Sequence, residues 1–429
     1  MTRFAVIAPP FHSHLRALEA LSQALIGRGH EVVFVQQADV GTALRLSAAG
    51  FVAVGAGSHP PGAMAAIVAR AARPGGPRGL GRVIADMAAS TDMLCREVPG
   101  VLSALAVDAV IADQMEPAGA LVAEHLDLPY VSVACALPFN REPLVPLPVM
   151  PWAYRATPWA EQLNLHSTRV YDRLMRPHGA VIARHCERLG VPVRAHLGEC
   201  LSPLLQLSQT TAIFDFPRVA LPAHFHHVGP LRLPVEAEPP LEVSIDPRRP
   251  LVFASLGTLQ GDRLGLFRRI VRACRRLDAQ VLVAHCGGLD RAGVRRLERD
   301  GADWVMDFAP QRAVLARAQA VVTHAGLNTV LDAFAAGVPM LALPIAFDQP
   351  GVAARVAYQG AGLRLGHRWA SQRRIGQALR RLLDDPTFAS RAASVGDSVR
   401  QAGGAARAAM LTERAVSAGE PVTEAEHAA

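Results

Sequence analysis

The stretch Ala320-Val-Val-Thr-His-Ala-Gly-Leu-Asn-Thr-Val-Leu-Asp-Ala-Phe-Ala-Ala-Gly-Val-Pro339 decides the fold of this chain. Its first residues form an uncharged apolar run, which is typical of a strand buried inside a parallel sheet. A helical pattern follows and ends before Gly337 and Pro339, the two residue types that most often terminate a helix. The stretch therefore predicts one strand–turn–helix unit of an α/β domain.

The turn inside this unit suits a bound anion. Gly326 permits a sharp turn and a close approach of the backbone to a ligand. Asn328 or Thr329 can cap the helix, whose first N–H groups are free to bind a phosphate. His324 lies at the carboxyl end of the strand, where ligands bind in open α/β sheets. These residues predict a phosphate or diphosphate site, although an ordinary turn between strand and helix has the same outline.

The same alternation of strand and helix continues to both sides of this unit and recurs in the first half of the chain. It predicts an α/β fold with two consecutive, doubly wound parallel sheets. The predicted strands are Phe4–Ala8, Glu31–Gln36, Ala109–Ala112, Tyr130–Ala134, Leu251–Ser255, Val281–His285, Trp304–Phe308, Ala320–Thr323 and Met340–Leu343. The predicted helices include Leu15–Arg28, Ala118–Leu126 and Arg263–Leu277.

The chain of 429 residues is long enough for two cores. A cluster of prolines and acidic residues predicts a linker, so we expect an N-terminal domain and a C-terminal domain separated by it. The prolines and Trp152 also predict an apolar insert in the first domain, either a packed loop, a lining for an apolar acceptor or a loop that dips into a membrane. The predicted divisions are residues 1–232, the linker 233–249, residues 250–416 and a flexible tail 417–429, with the insert at about 138–160.

Composition excludes several classes of protein. The net charge is +7 and all the basic residues are arginine, so neither a Walker-type phosphate loop nor Schiff-base chemistry is available. The six cysteines are dispersed without a C-x-x-C pair, which favours a reduced, cytoplasmic setting over a disulfide framework or a zinc site. No apolar stretch is long enough to cross a bilayer, and no signal peptide is visible. The arginines favour solvated helix faces, with a membrane-facing surface as the alternative, over nucleic-acid binding.

A candidate catalytic base follows the first strand. No G-x-G-x-x-G loop is present there, which argues against a dehydrogenase. His14 lies where the strand meets the helix, and imidazole has a pKa suited to removing a proton from a hydroxyl group. His12 is the competing candidate. A base of this kind works best when a carboxylate orients its other nitrogen, a role that suits Asp113 at the end of a strand better than Asp108 at its start.

The region from Phe308 to Gln349 resembles the donor signature of the UDP-dependent glycosyltransferases, which have the two-domain GT-B fold with two Rossmann-like domains facing a central cleft. About forty residues carry the likeness: Phe308-Ala-Pro-Gln311, Thr323-His324-Ala-Gly326-Leu-Asn328-Thr329, Asp332, Gly337-Val-Pro339, Pro344 and Asp348-Gln349. Ser255-Leu-Gly257-Thr258 looks like the Gly-rich turn that opens the second domain of the same family.

The resemblance implies a role for each of these positions. It implies that Phe308 stacks on uracil, Gln311 contacts uridine and His324 binds a phosphate. Asp332 would hold the ribose, and Asp348 with Gln349 would hold the sugar hydroxyls. The remaining donors to the diphosphate would be Ser255, Gly257, Thr258, Gly326, Asn328 and Thr329.

This sequence departs from the family pattern at three of these points. Phe308 stands where tryptophan is usual, Asp332 where glutamate is usual, and Ala17 replaces the proline of the family's His-x-x-Pro motif around His14. Asp113 resembles the aspartate that partners the base. The mechanism expected is a single displacement with inversion, in which UDP leaves toward His324 and the helix start, with neither a metal ion nor a cofactor.

The acceptor is indicated by a narrower resemblance, to the bacterial carotenoid glucosyltransferases that act on zeaxanthin. It is carried by Ala8-Pro-Pro-Phe11-His-Ser-His14-Leu-Arg-Ala-Leu18, Phe34-Val-Gln-Gln37 and Leu341-Ala-Leu-Pro-Ile-Ala-Phe-Asp-Gln-Pro-Gly-Val352. It implies transfer of glucose to the ring hydroxyls, once or twice, by a protein that lies peripherally on a membrane. The alternatives are another apolar acceptor such as a macrolide or sterol, a nucleotide-sugar epimerase of the same fold, and a non-catalytic subunit that binds nucleotide sugars.

Overall fold

Two parallel β-sheets organise the protein in the computed structural model, which describes residues 1–234 and 239–423. The strands of the first sheet are β1 (Arg3–Ile7), β2 (Glu31–Gln37), β3 (Gly50–Val54), β4 (Ala109–Asp113), β5 (Tyr130–Ala134), β6 (Gln206–Ser208) and β7 (Phe225–His227). The strands of the second sheet are β8 (Leu251–Ser255), β9 (Gln280–Ala284), β10 (Trp304–Met306), β11 (Ala320–Thr323), β12 (Met340–Ala342) and β13 (Gly362–Arg364).

The strand order determines where each sheet can bind a ligand. The first sheet runs β3-β2-β1-β4-β5-β6-β7 and the second β10-β9-β8-β11-β12-β13, with every neighbouring pair parallel. In the first sheet the order reverses between β1 and β4, and in the second it reverses between β8 and β11. Ligands bind at such a switch point, outside the carboxyl ends of the strands. The two switch points carry Asp113 at the end of β4 and His324 after β11.

Helices cover both faces of each sheet because the strands are apolar on both faces. The helices of the first half are α1 (His12–Ile26), α2 (Ala38–Ala43), α3 (Ala63–Ala72), α4 (Gly76–Ala104), α5 (Ala118–His125) and α6 (Pro158–Leu189). Those of the second half are α7 (Leu264–Arg275), α8 (Arg291–Asp300), α9 (Gln311–Leu315), α10 (Leu327–Ala335), α11 (Gln349–Tyr358), α12 (Gln372–Asp384), α13 (Pro386–Gln401) and α14 (Gly404–Ala418).

Every predicted strand lies on an observed strand, with ends that differ by two residues at most. Four strands were not predicted: β3, β6, β7 and β13. The last three have three residues each, which is too short for a recognisable hydrophobic pattern. They form because their backbone pairs with the unpaired edge of a neighbouring strand. Helix α1 begins at His12, three residues before the predicted start, so both candidate histidines lie in its first turn.

The C-terminal helix α14 packs on the first sheet, whereas the sequence-based boundary at residue 416 assigned it to the second domain. Its buried residues Ala408, Leu411 and Ala415 join the core formed by α1 and the first sheet. Beyond it, the N–H of Val422 donates to the carbonyl of Leu204. The predicted tail therefore includes a buried residue at 422, and its residues 424–429 lie outside the described part of the chain.

Parts of both the predicted linker and the predicted insert pack against the protein. Residues 239–249 form no helix or strand, but Leu241, Val243 and Ile245 pack against the second core; residues 235–238 of the predicted linker lie outside the described ranges. The insert ends at Thr157, which caps α6, so its last predicted residues belong to that helix. Val145 and Leu147 of the insert are buried. Among the described helices, none combines the length and the apolar character that crossing a membrane requires.

Candidate active site

A histidine and an aspartate from neighbouring elements form a pair at the carboxyl edge of the first sheet. His14 Nδ1 lies 2.7 Å from Asp113 Oδ2. Asp113 is buried at the end of β4, and its other oxygen accepts from the N–H of Met115 at 2.9 Å. The carboxylate is therefore fixed at both oxygens and holds the imidazole so that Nε2 remains available for a substrate.

The electrostatic surroundings of His14 favour its protonated form. Burial lowers the pKa of His14, but the charge and hydrogen bond of Asp113 and the charge of Asp348 outweigh burial, so the pKa lies above its ordinary value of 6.5. An imidazole that gains basicity from a buried carboxylate is suited to accept a proton from a hydroxyl group.

The competing candidates have other partners. His12 accepts a hydrogen bond from Arg16 at 3.2 Å, and burial together with the charges of Arg16 and Arg45 lowers the pKa of His12 to about 4. Asp108 lies before β4, where its carboxylate accepts from the backbone of Arg3 at 2.7 Å. His12 and Asp108 are thus bonded to arginine residues, whereas His14 is paired with Asp113.

The turn before α10 has the open helix start that the sequence predicted, but it is built differently. The residue with the left-handed backbone is Ala325 (φ 66°), and Gly326 is the N-cap residue with φ −64°. No side chain caps the helix, so Asn328 and Thr329 are not capping residues as expected. Their backbone N–H groups, in the first turn, have no helical partner and are available to bind an anion.

Two glycines confine the ring of His324. A Cβ atom at Gly326 would lie 2.5 Å from its Nε2, and one at Gly257 would lie 2.5 Å from its Cε1. Burial lowers the pKa of His324 to about 4, against a hydrogen bond with the backbone of Ser255. The ring is therefore neutral before a ligand binds, and it is fixed beside the helix start. The negative charge of a bound diphosphate favours protonation of the ring, which would let its second nitrogen donate a hydrogen bond to a phosphate oxygen.

Asp348 lies near the His14–Asp113 pair, since its charge raises the pKa of His14, and Gln349 follows it at the start of α11. The N–H of Leu137 donates to Asp348 at 3.3 Å, and burial raises the pKa of Asp348. The side-chain oxygen of Gln349 accepts from the backbone of Ile345 and Ala346, both at 2.9 Å, and ties down the loop that carries both residues. The sugar-binding role expected of the two residues stays a prediction.

The carboxylate of Asp332 lies in a second polar cluster. Gln311 Nε2 donates to one oxygen at 2.6 Å and Arg232 Nε donates to the other at 2.9 Å. Thr329 in turn donates to Gln311 at 3.1 Å. Arg232 also donates to the carbonyl of Asn328 at 3.0 Å, so one side chain from the end of the first half reaches the start of α10. The structure thus unites three predicted donor residues, Gln311, Thr329 and Asp332.

Comparison with known proteins assigns the family. The family described as UDP-glucoronosyl and UDP-glucosyl transferase matches residues 187–396. The zeaxanthin glucosyltransferase of Pantoea ananas is 50% identical over 426 residues, 98% of each chain. That of Pseudescherichia vulneris is 47% identical over 424 residues, 99% of this chain and 100% of the relative. The chain belongs to the UDP-glycosyltransferase family.

Solved glycosyltransferases have the same fold. The kitacinnamycin glycotransferase aligns with a TM-score of 0.75 at 21% identity, covering 97% of this chain and 99% of that chain. The calicheamicin glycosyltransferase CalG4 aligns with a TM-score of 0.72 at 21% identity, covering 98% and 100%. The expected GT-B fold and the expected enzyme class are confirmed.

The remaining predicted donor residues of this glycosyltransferase differ in exposure. Phe308 follows β10 and is 58% exposed, so its ring is open for stacking. Thr258 is exposed, whereas Ser255 is buried at the end of β8. Asn328 donates to the carbonyl of Ser13 at 3.3 Å, which joins α10 to the first half beside His14.

Cys135 is a neighbour of the His14–Asp113 pair that sequence reasoning did not identify. One ligand-type atom each of His14, Asp113 and Cys135 lies within 4.8 Å of the others. Burial, followed by the charge of Asp113, raises the pKa of the Cys135 thiol well above its ordinary value. A protonated thiol is a poor metal ligand, and this one points to the carbonyl of His14 at 3.9 Å.

Arg232 is the other residue that was missed. It bridges Asp332 and Asn328 of the second half to Gln209 Oε1 of the first, which it meets at 2.9 Å. No motif marks it, since it lies in a segment without helix or strand. The one signal was its place just before the predicted linker, where a side chain can reach both domains.

Proposed function

We propose that this protein transfers glucose from UDP-glucose to the 3-hydroxyl groups of zeaxanthin with inversion at the anomeric carbon, giving the mono- and diglucoside. The observation that carries the proposal is the His14–Asp113 pair, with its 2.7 Å contact and with the charge of Asp348 acting on His14. The full-length likeness to two zeaxanthin glucosyltransferases supports the choice of acceptor.

The proposed reaction is one displacement. Nε2 of His14 takes the proton of the acceptor hydroxyl while Nδ1 stays bound to Asp113. The oxygen then attacks the anomeric carbon from the face opposite the nucleotide. The bond from that carbon to the diphosphate breaks, and UDP leaves with the electron pair. Inversion follows from this single attack.

The donor is held by the residues of the second half. The N–H groups at the start of α10 and the ring of His324, protonated by the approach of the diphosphate, stabilise the negative charge that develops on UDP. Asp332 and Gln311 bind the ribose, Phe308 stacks on uracil, and Asp348 with Gln349 holds the glucose hydroxyls. This set supplies donors where charge develops, so the proposal includes neither a metal ion nor a cofactor.

The acceptor implies a location as well. A hydroxylated carotenoid resides in the bilayer, so we place the protein at the cytoplasmic face of the membrane as a peripheral enzyme. The net charge of +7 supports attraction to an anionic surface, and the six free cysteines support a reducing compartment.

Mass analysis of pigment tests the proposal. The protein is incubated with zeaxanthin and UDP-glucose, with and without EDTA, beside His14→Ala as the inactive control. We expect one and two hexose additions in the wild type, unchanged by EDTA. UDP release that does not depend on zeaxanthin, or transfer only to a macrolide or sterol, would contradict the proposed acceptor. Absence of any UDP release would favour a non-catalytic subunit.

A further inference from the structure

The first half of helix α6 exposes an apolar stripe to solvent. Trp159, Val170 and Leu174 are 68%, 60% and 49% exposed, and the partly exposed Leu163 lies between them. Their spacings of four, seven and four residues place all four side chains on one face of the helix. From Trp159 to Leu174 the stripe is about 22 Å long at the helical rise per residue. Large apolar surfaces of this kind mark interaction sites.

Arginines run beside this stripe. Arg169, Arg173 and Arg176 are exposed on α6 at spacings of four and three residues, so they share the adjacent face. Within residues 1–234 and 239–423, none of the three forms an ion pair. The acidic residue nearest to them on the helix, Asp172, is held by Arg141 through two hydrogen bonds of 2.6 and 3.0 Å. The arginine face therefore keeps its positive charge uncompensated.

Helix α4 packs beside α6. Thr91 of α4 lies 3.0 Å from His178 of α6, and further along the two helices Arg188 donates to the carbonyl of Cys95, so the helices run parallel and begin on the same side. The start of α4 exposes Leu80. Its neighbours Arg78 and Arg82 are exposed as well, which repeats the combination of an apolar side chain flanked by arginines.

The opposite face of α6 leads toward the catalytic pair. Tyr171 and Met175 line a cavity together with Phe139. The N–H of Phe139 donates to Gln114 at 3.2 Å, and Gln114 directly follows Asp113. Helix α6 thus separates an apolar, basic outer surface from a cavity whose wall is bonded to the catalytic loop.

We propose that the exposed face of α6, with the start of α4, docks on the surface of an anionic phospholipid bilayer. Apolar side chains enter the interface beside a row of arginines that attract lipid phosphates, and tryptophan is favoured at that depth. This assignment rests on the proposed function, because a reason to dock on a bilayer exists only if the acceptor is dissolved in lipid. Residues 145–148 of the insert are buried, so this part of the insert does not contribute to the surface.

Flotation with vesicles measures the charge contribution. Wild-type protein is mixed with vesicles of phosphatidylglycerol and, separately, of phosphatidylcholine. We expect binding to the former, and at least a tenfold loss in partition coefficient for Arg169→Glu/Arg173→Glu. The matched control, Arg295→Glu/Arg296→Glu on α8, makes the same change in net charge on another exposed arginine pair and should retain most of the binding. Equal losses in both variants would overturn the assignment to α6.

Two exposed tryptophans provide the apolar test. Trp159→Ser should weaken vesicle binding several-fold, whereas Trp369→Ser, which changes a 70% exposed tryptophan of the second half, should not. The reverse result, or a wild-type protein that binds neither kind of vesicle, would overturn the proposal. Conversion of a wild-type dimer into a monomer by Arg169→Glu/Arg173→Glu would assign the surface to a second copy of the chain and overturn it too.

Activity in two media separates this inference from the proposed function. With zeaxanthin in neutral detergent micelles, the α6 variants should turn over like the wild type. With zeaxanthin in phosphatidylglycerol vesicles, they should lose about as much rate as binding. Wild-type protein inactive in both media would contradict the proposed function. Wild-type activity in both media with no difference between the variants in vesicles would contradict the docking surface alone.

Discussion

His14 and Asp113 give a test at the scale of single residues. A base acts when neutral, so kcat/KM should fall as pH falls through the raised pKa of His14. Asp113→Asn removes the charge that raises this pKa while burial still lowers it. We therefore expect the acidic limb to move to lower pH and the plateau to drop by about 10²–10⁴-fold. The measurement is the pH profile of glucose transfer.

The control for this prediction is Asp108→Asn, at the opposite end of the same strand, where the carboxylate accepts from the backbone of Arg3. It should leave both the limb and the plateau in place. His14→Ala should lose activity by a similar factor to Asp113→Asn or more. A variant Asp113→Asn with an unshifted limb would remove Asp113 from the proposed role.

Asp332 gives the second residue-scale prediction. Its oxygens already meet Gln311 at 2.6 Å and Arg232 at 2.9 Å in a buried setting. Asp332→Glu restores the residue usual in the family but adds a methylene, which displaces the carboxylate from at least one partner. We expect KM for UDP-glucose to rise roughly tenfold with little change in kcat. Asp397→Glu, an exposed control on α13, should change neither constant, and tighter donor binding by Asp332→Glu would contradict this geometry.

Residue chemistry was predictable where a motif carried it. The pairing of His14 with Asp113, 99 positions apart, followed from where two strands end. Arg232 could not be found, because its bonds to Asp332 and Asn328 exist only once the two halves are docked. The helix cap predicted for Asn328 was wrong for a similar reason. The side-chain amide of Asn328 donates to the carbonyl of Ser13 and accepts from Gln209, both in the first half.

The turn before α10 gives the prediction at the scale of elements. Gly326 has an ordinary φ of −64°, so alanine there introduces no backbone strain. Its Cβ would nevertheless lie 2.5 Å from Nε2 of His324 and displace the ring from the helix start. We expect Gly326→Ala to weaken UDP-glucose binding by about tenfold or more, since one charge-assisted hydrogen bond is worth that much. Isothermal titration of UDP-glucose measures it.

Gly265→Ala in α7 is the matched control, because an added Cβ there meets nothing within 4 Å. It should leave the Kd unchanged and raise the unfolding free energy by about 0.5–1 kcal/mol. Donor binding by Gly326→Ala at the wild-type Kd would show that the ring of His324 is not part of the phosphate site.

Elements were predictable in proportion to their periodicity. The buried strands of both sheets have continuous apolar runs, and all those predicted are present. The two longest helices, α4 and α6, were not predicted, and each contains an internal proline, Pro99 or Pro177. Proline usually ends a helix, but the pairing of Thr91 with His178 and of Arg188 with the Cys95 carbonyl holds these two against each other.

Buried histidines make the stability of the whole molecule depend on pH. Burial lowers the pKa of His178 to about 4, so the folded state holds fewer protons than the unfolded state between pH 6.5 and 4. Stability is therefore present above pH 6.5 and is lost as pH falls. From pH 7 to pH 5 one such histidine removes about 2 kcal/mol of unfolding free energy.

Urea unfolding of His178→Gln at these two pH values checks this prediction, and we expect a pH dependence smaller by that amount. His166→Gln on the same helix is the control, because His166 is exposed whereas His178 is buried. Equal pH dependences in His178→Gln and the wild type would show that His178 does not contribute.

The last helix ties the second half of the chain back to the first, and this gives the final prediction. Leu411 of α14 is fully buried in the core of the first sheet, whereas the adjacent Met410 is 42% exposed. Leu411→Ala should lower the unfolding free energy by about 2–5 kcal/mol, and Met410→Ala should change it by less than about 0.5 kcal/mol. Hydrogen exchange locates the effect: the amides of β1 and β4 should lose protection before those of β8 and β11. If the second sheet lost protection first, α14 would belong energetically to the C-terminal domain, as the sequence alone suggested.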